Sequence, residues 1–126
     1  MVQATEVFIA ITAFVMGLSH LLRPQVWSDV YTALGSAGRP GAFINGAIHL
    51  IPGAIIIAGH WVWTSPQLVL TILGCLLVAK GTVCFLLPEV ALKSIALSRR
   101  PMGFRVAGII CLAIAAWAIY CLCQRA

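Results

Sequence analysis

The sequence has very little charge, with eight Lys and Arg and three Asp and Glu in 126 residues. A soluble domain carries charge on about a quarter of its residues. Because 62% of the residues are hydrophobic, the chain has more apolar surface than a water-soluble domain of this size can bury. The scarcity of charge therefore argues against a soluble fold and predicts an integral membrane protein.

The sequence also lacks the residue sets that carry most catalysis and cofactor binding. It has no Ser-His-acid set, no paired carboxylates within an apolar segment, no glycine-rich phosphate loop and no metal-ligand spacing. The five cysteines form no CxxC pair, and cysteines in apolar segments behave as small hydrophobes. We therefore predict a protein that is not an enzyme and has no metal or cofactor. The net charge of +5 does not indicate nucleic-acid binding, because the basic residues cluster where lipid headgroups lie.

Four apolar stretches fill nearly the whole chain. Each has close to the number of residues, about 20, that a helix needs to cross about 30 Å of hydrocarbon. Each must be helical because lipid offers no hydrogen-bond partners to unpaired backbone groups. Prolines mark their ends. The predicted spans are residues 4–22, 41–63, 66–87 and 101–123. The first lacks the basic region and cleavage site of a signal peptide, so we expect it to be retained.

The connections between the spans differ. Only Thr64-Ser65-Pro66 separates the second span from the third. In the first long connection apolar residues recur at helical spacing, and the second long connection shows the same pattern less cleanly. We expect both to be short amphipathic helices that lie in the membrane interface.

Basic residues are concentrated at the two long connections. They are Arg23, Arg39, Lys93, Arg99, Arg100 and Arg105. The opposite side has Arg125 alone. The positive-inside rule therefore predicts cytoplasmic long connections and both termini outside the cytoplasm.

The two halves of the sequence repeat one pattern. Glycine, leucine, proline and valine at positions 17, 22, 24 and 26 recur 64 residues later, and Arg39-Pro40 is matched by Arg100-Pro101. We interpret this as a duplication within one domain, with repeat 1 at about 4–63 and repeat 2 at about 66–123. Because each half crosses the membrane twice, the halves would be related by an axis along the membrane normal. The predicted fold is an all-α four-helix bundle made of two tandem helical hairpins.

The second half carries a family resemblance. Its segment from Lys80 to Tyr120, KGTVCFLLPEVALKSIALSRRPMGFRVAGIICLAIAAWAIY, resembles the small two-helix YjeT proteins of the bacterial inner membrane. The shared features are a glycine-containing, Phe-Leu-Pro-like helix exit, an amphipathic linker and an Arg-rich start to the second helix. A carboxylate usually precedes the glycine in that family. In this chain the corresponding positions, before Gly81 and Gly17, are Lys80 and Met16. The resemblance implies the helix–linker–helix architecture of that family and a location in the bacterial inner membrane. It implies no activity.

Lys80 is the first candidate for a functional residue. It lies eight residues before the proline that ends its helix, or roughly 12 Å deep. An ionisable group at that depth costs at least about 2.5 kcal/mol and commonly has a partner or a function, although a lysine can also snorkel to the headgroups. No acidic residue is expected at its level, so an anionic headgroup or substrate is the expected partner.

Other polar residues are expected at similar levels of the bundle. They are Ser19, His20, Asn45, His49 and Thr82. Together with Lys80 they form either a binding site or a set of interhelical hydrogen bonds. An axial haem held by His20 and His49 is disfavoured because their depths differ by roughly 7 Å. We expect His60 at the outer surface beside Trp61, and Glu6 lies too near its helix end to act like the glutamate of small multidrug transporters.

Two functions follow from these patterns. The first is an accessory or scaffold subunit that packs against membrane lipids, partner membrane proteins or copies of itself, because almost no chain is expected outside the bilayer. The alternative is a small transporter or channel for a small solute, with anions favoured, that uses Lys80 and His49.

Overall fold

The computed structural model of this protein describes residues 1–125, which form six helices. They are α1 (Val2–Leu22), α2 (Pro24–Ser36), α3 (Arg39–Gly59), α4 (Leu68–Leu86), α5 (Pro88–Leu97) and α6 (Pro101–Arg125). Four of them, α1, α3, α4 and α6, are long and apolar enough to cross a membrane. The prediction of an all-helical fold with four helices that could span a membrane is confirmed.

Prolines end two of the long helices in the same way. Arg23 and Leu87 leave the helical conformation with nearly equal backbone angles, φ −129° and ψ 49° for Arg23, and φ −130° and ψ 64° for Leu87. The following Pro24 and Pro88 disfavour the α region for the residue before them. Each proline then begins the next helix, where its missing N–H is not needed.

The second long helix is shorter than predicted. It ends at Gly59, so the prediction that residues 60–63 are helical is wrong. The backbone there bonds to a side chain instead: the Thr71 hydroxyl lies 2.7 Å from the Val62 carbonyl oxygen and 3.2 Å from the Val62 nitrogen. These contacts replace the helical hydrogen bonds that apolar sequence alone would favour.

The long helices pack closely in two pairs, α1 with α6 and α3 with α4, and these pairs join one half of the chain to the other. The predicted hairpins, α1 with α3 and α4 with α6, are not the close pairs. Glycines lie at both contacts: a Cβ at Gly17 would stand 3.0 Å from the Gly108 oxygen, and a Cβ at Gly81 would stand 2.6 Å from the Leu50 Cβ. Glycine at these positions lets the helices approach each other closely.

The two ends of the bundle are fixed by contacts between distant residues. Glu6 bonds to Arg125, so both chain termini lie at one end, the terminal end. Ser28 of α2 bonds to the Arg99 carbonyl just after α5, and these elements mark the opposite, linker end. Near the terminal end a buried apolar cluster joins the four long helices. Its members are Ile9, Ala10, Ile56, Leu70, Ala118 and Cys121.

Candidate functional site

A cavity of about 660 Å³, the linker cavity, is lined by the four long helices together with α2. Its volume lies within the range of small-molecule sites. Three basic side chains line it from three helices: His20 from α1, His49 from α3 and Lys80 from α4. No Asp or Glu of residues 1–125 lines it, so the lining has basic side chains and no carboxylate.

The two histidines of the linker cavity are held in the same way. Nδ1 of His20 lies 2.7 Å from the Met16 carbonyl oxygen, and Nδ1 of His49 lies 2.7 Å from the Asn45 carbonyl oxygen. A carbonyl only accepts, so each Nδ1 carries the hydrogen and donates it. Within residues 1–125 neither Nε2 has a hydrogen-bond partner, which leaves both atoms available to a ligand.

Aromatic side chains hold the His20 ring in place. Trp27 of α2 stacks on it with the ring centroids 4.2 Å apart and the planes inclined by 15°. The Trp27 indole N–H donates to the Ser19 hydroxyl oxygen at 2.8 Å, so Ser19 acts on the cavity through Trp27. Burial, with a smaller contribution from Cys84, raises the pKa of the nearby Tyr31 phenol, which is therefore a neutral group on the cavity wall.

The remaining two sequence candidates lie outside the cavity lining. Asn45 is buried, and its amide nitrogen donates to the Cys84 sulfur at 3.6 Å. Its side-chain oxygen has no partner within residues 1–125. Thr82 is exposed and bonds only to the Val78 carbonyl of its own helix. The cavity thus brings together Lys80, His49 and His20 of the six candidates.

A second polar cluster, the terminal network, occupies the opposite end of the bundle. It consists of Glu6, His60, Thr71 and Arg125. Glu6 and His60 are 0% exposed, and His60 Nε2 lies 3.2 Å from the Glu6 carboxylate. Arg125 Nε donates to both carboxylate oxygens, at 3.1 and 3.2 Å. The other ring nitrogen, His60 Nδ1, lies 3.0 Å from the Thr71 hydroxyl.

The terminal network ties together elements that are far apart in the sequence. It joins α1, the segment after α3, α4 and the end of α6, and nearby Trp117 adds a hydrogen bond to the Pro66 carbonyl at 2.9 Å. His60, expected at the outer surface, is instead fully buried. Sequence reasoning missed this cluster, although Glu6 was the one acidic residue within a predicted span, and such residues are usually paired or functional.

Within residues 1–125 no three His, Cys, Asp or Glu side chains lie together as they would around a metal ion. No protein-family model, curated protein or solved structure matches the chain.

Proposed function

We propose that this protein binds a small anionic solute in the linker cavity and moves it through the membrane as a small transporter or channel. One observation carries the proposal. Lys80 and two histidines with available Nε2 atoms line a cavity that has no acidic lining residue within residues 1–125.

An anion is the ligand that this lining favours. Lys80 is an exposed residue, and the described residues give its ammonium no carboxylate partner. An unpaired charge at the level of an apolar span is costly. A bound anion supplies that missing charge, and each Nε2–H of a protonated imidazole can add a hydrogen bond. The apolar wall strengthens these contacts because it lowers the local dielectric.

The shape of the cavity supports transport. Its lining at the linker end includes the exposed residues Val30, Ser98 and Gly103. Its lining toward the terminal end includes Ile9 and Ile56, which are 1% and 3% exposed. Beyond them lies the terminal network. A site that is reached from one side and closed on the other is what a carrier presents in one of its two states.

Binding and transport are tested separately. Thermal unfolding of the purified protein should shift upward with sodium acetate or sodium phosphate but not with acetamide, the neutral analogue of acetate, because a ligand that binds only the folded state stabilises it. The shift should disappear in Lys80→Met and persist in Lys93→Met, whose lysine lies on α5 outside the cavity lining. Counterflow of the stabilising anion into liposomes then tests movement. The absence of any anion-dependent shift would refute the proposed function.

The second candidate is the accessory subunit. Large apolar side chains are exposed on the outer faces of all four long helices, among them Ile11, Ile51, Leu76 and Ile109. These faces can pack against lipids, partner membrane helices or copies of the same chain. Anion binding without counterflow, together with co-purification of a larger stable complex under mild detergent, would favour this role over transport.

We also propose that the chain is a tandem duplication. The matching backbone angles at Arg23 and Leu87 support it, as do the equivalent helix contacts at Gly17 and Gly81. Alanine at either glycine should lower the unfolding temperature, whereas Gly103→Ala should not, because nothing lies within 4 Å of a Cβ there. A neutral result at one of the paired glycines would contradict their equivalence.

The proposed location is the bacterial inner membrane, with α2 and α5 in the cytoplasmic interface and both termini in the periplasm. The cluster of basic residues at the linker end and the YjeT resemblance support this assignment. Alkaline phosphatase fused to the C-terminus should be active, and a fluorescent protein fused there should be dark. The reverse pattern would overturn the orientation.

A further inference from the structure

We infer that the solute is an amphiphile, with a carboxylate or phosphate headgroup attached to a single hydrocarbon chain. The inference rests on the proposed function and names the substrate class of the same cavity. The headgroup lies at Lys80 and the two histidines, and the chain extends from there toward the terminal end.

The linker cavity changes character along its length. Its basic residues lie toward the linker end, whereas the lining closer to the terminal end is dominated by apolar side chains, including Phe8, Ile9, Ile56 and Leu73. On α4, Leu73 precedes Lys80 by seven residues, which is about 10 Å along the helix, and on α1, Phe8 precedes His20 by twelve, about 18 Å. We call the part of the cavity lined by Phe8, Ile9, Ile56 and Leu73 the apolar extension. A small hydrophilic anion has no apolar group that would fill it.

The apolar extension has a closed end. Ile9 and Ile56 belong to the buried cluster that joins the long helices, and Leu73 and Leu77 pack against it. Interiors packed in this way resist the insertion of additional methylene groups. The cavity therefore limits the length of chain that it accepts.

Chain length is the first variable to test. Binding is measured on the full-length protein in nanodiscs for acetate, butyrate, hexanoate, octanoate and longer saturated carboxylates. Each dissociation constant is expressed relative to the concentration of free ligand in water. Affinity should rise by up to about fourfold for each methylene that enters the apolar part and should then stop rising when the chain meets the closed end. Octyl phosphate, run beside octanoate, shows which acidic headgroup the cavity prefers.

Two pairs of variants locate the ligand. Lys80→Met should weaken octanoate binding by about tenfold or more, with Lys93→Met as the control. Leu73→Phe fills the apolar extension and should move the length optimum to a shorter chain. Leu76→Phe is its control because Leu76 lies on the same helix but is 64% exposed and does not line the cavity. An unchanged optimum in Leu73→Phe would overturn the assignment of the chain to this cavity.

The orientation of the ligand is read from Trp27, which stacks on His20 beside the headgroup position. A fatty acid brominated next to its carboxylate should quench the Trp27 fluorescence, defined as the signal lost in Trp27→Phe, more strongly than one brominated at its methyl end. Equal quenching by the two probes, or stronger quenching by the methyl-end probe, would overturn the proposed orientation.

Failure of the inference differs from failure of the proposed function. If acetate and phosphate bind in a Lys80-dependent way with the same affinity as octanoate, the cavity binds small anions and the amphiphile assignment is wrong. If no anion of any length binds, both the assignment and the proposed function are wrong.

Discussion

The terminal network and the linker cavity place similar residue types at opposite ends of one bundle and use them differently. Both ring nitrogens of His60 have protein partners, the Glu6 carboxylate and the Thr71 hydroxyl. In His20 and His49 only Nδ1 has a protein partner. The difference between these histidines is therefore the second ring nitrogen, which the fold uses at one end and leaves available at the other.

This contrast indicates which cluster stabilises the fold and which binds a ligand. Buried polar groups are nearly always hydrogen-bonded, and a fully satisfied network rigidifies its surroundings. The terminal network meets that description and connects the first helix to the end of the last. The linker cavity has an ammonium and two histidine ring nitrogens without protein partners within residues 1–125, which is the arrangement expected of a site that a ligand completes. The following substitutions test the contrast, from the largest expected effect to the smallest.

Glu6→Ala should cause the largest loss of stability. It removes the carboxylate that accepts hydrogen bonds from His60 and Arg125, and breaking a buried ion pair from one side costs about 3–5 kcal/mol. Because the Arg125 side chain is 35% exposed, we expect the lower part of that range. Denaturant unfolding in mild detergent, followed by circular dichroism, measures the change.

The matched control for Glu6→Ala is Glu89→Ala at the linker end. Glu89 forms an ion pair with Arg39 at 3.1 Å, but both side chains are mostly exposed, 61% and 76%. Exposed pairs contribute about 0–1 kcal/mol. Equal losses in the two variants would contradict the structural role of the terminal network.

Thr71→Val should cause the next largest loss. It keeps the shape of the side chain but removes the hydroxyl that bonds to His60 Nδ1 and to the backbone of Val62. Leaving such buried groups unpaired costs about 1–3 kcal/mol. Thr82→Val on the same helix is the control, because its hydroxyl bonds only to the Val78 carbonyl and such a bond adds little to helix stability. A loss in Thr82→Val as large as that in Thr71→Val would remove the distinction.

The sequence predicted the helical scaffold well because that scaffold is determined by local chemistry. The apolar runs predicted four spans, and the prolines at 24, 88 and 101 fixed the starts of α2, α5 and α6. The level of Lys80 and His49 was also predictable from their distances to the prolines. The sequence did not predict how each helix is rotated about its own axis. The depths of Thr82 and Asn45 could be predicted, but the helix face on which each lies could not.

The terminal network was missed for a different reason. Glu6 and His60 are 54 positions apart in the sequence, and Glu6 and Arg125 are 119 apart, so no local pattern joins them. The signal that could have found them was topological. The charge distribution predicted that Glu6, His60 and Arg125 lie at the same end of the bundle, and an acid, a histidine and an arginine at one apolar level are expected to pair.

Lys80→Met should leave the stability of the ligand-free protein unchanged, or raise it, while weakening ligand binding. Lys80 is exposed, and the described residues give its ammonium no carboxylate partner. Removing the charge therefore breaks no ion pair and takes an unpaired charge out of an apolar span. A tenfold loss of octanoate affinity corresponds to about 1.4 kcal/mol. A loss of stability without ligand would show that Lys80 has a structural partner in the fold and would place the linker cavity in the same class as the terminal network.

Asn45→Ala should have the smallest effect. The Asn45 amide is buried, but its oxygen has no partner in the described residues and its nitrogen bonds only to the Cys84 sulfur, at 3.6 Å. Sulfur is a weak acceptor, so the desolvation of the unpaired oxygen offsets what the amide gains. We expect the free energy of unfolding to change by less than about 1 kcal/mol.

In a double-mutant cycle of Asn45→Ala with Cys84→Ala, the coupling energy should be below about 0.5 kcal/mol. The same cycle for Glu6→Ala and Arg125→Ala should give a larger coupling, because that hydrogen bond is charge-assisted. A stronger coupling at Asn45 than at Glu6 would contradict this ranking of the two hydrogen bonds.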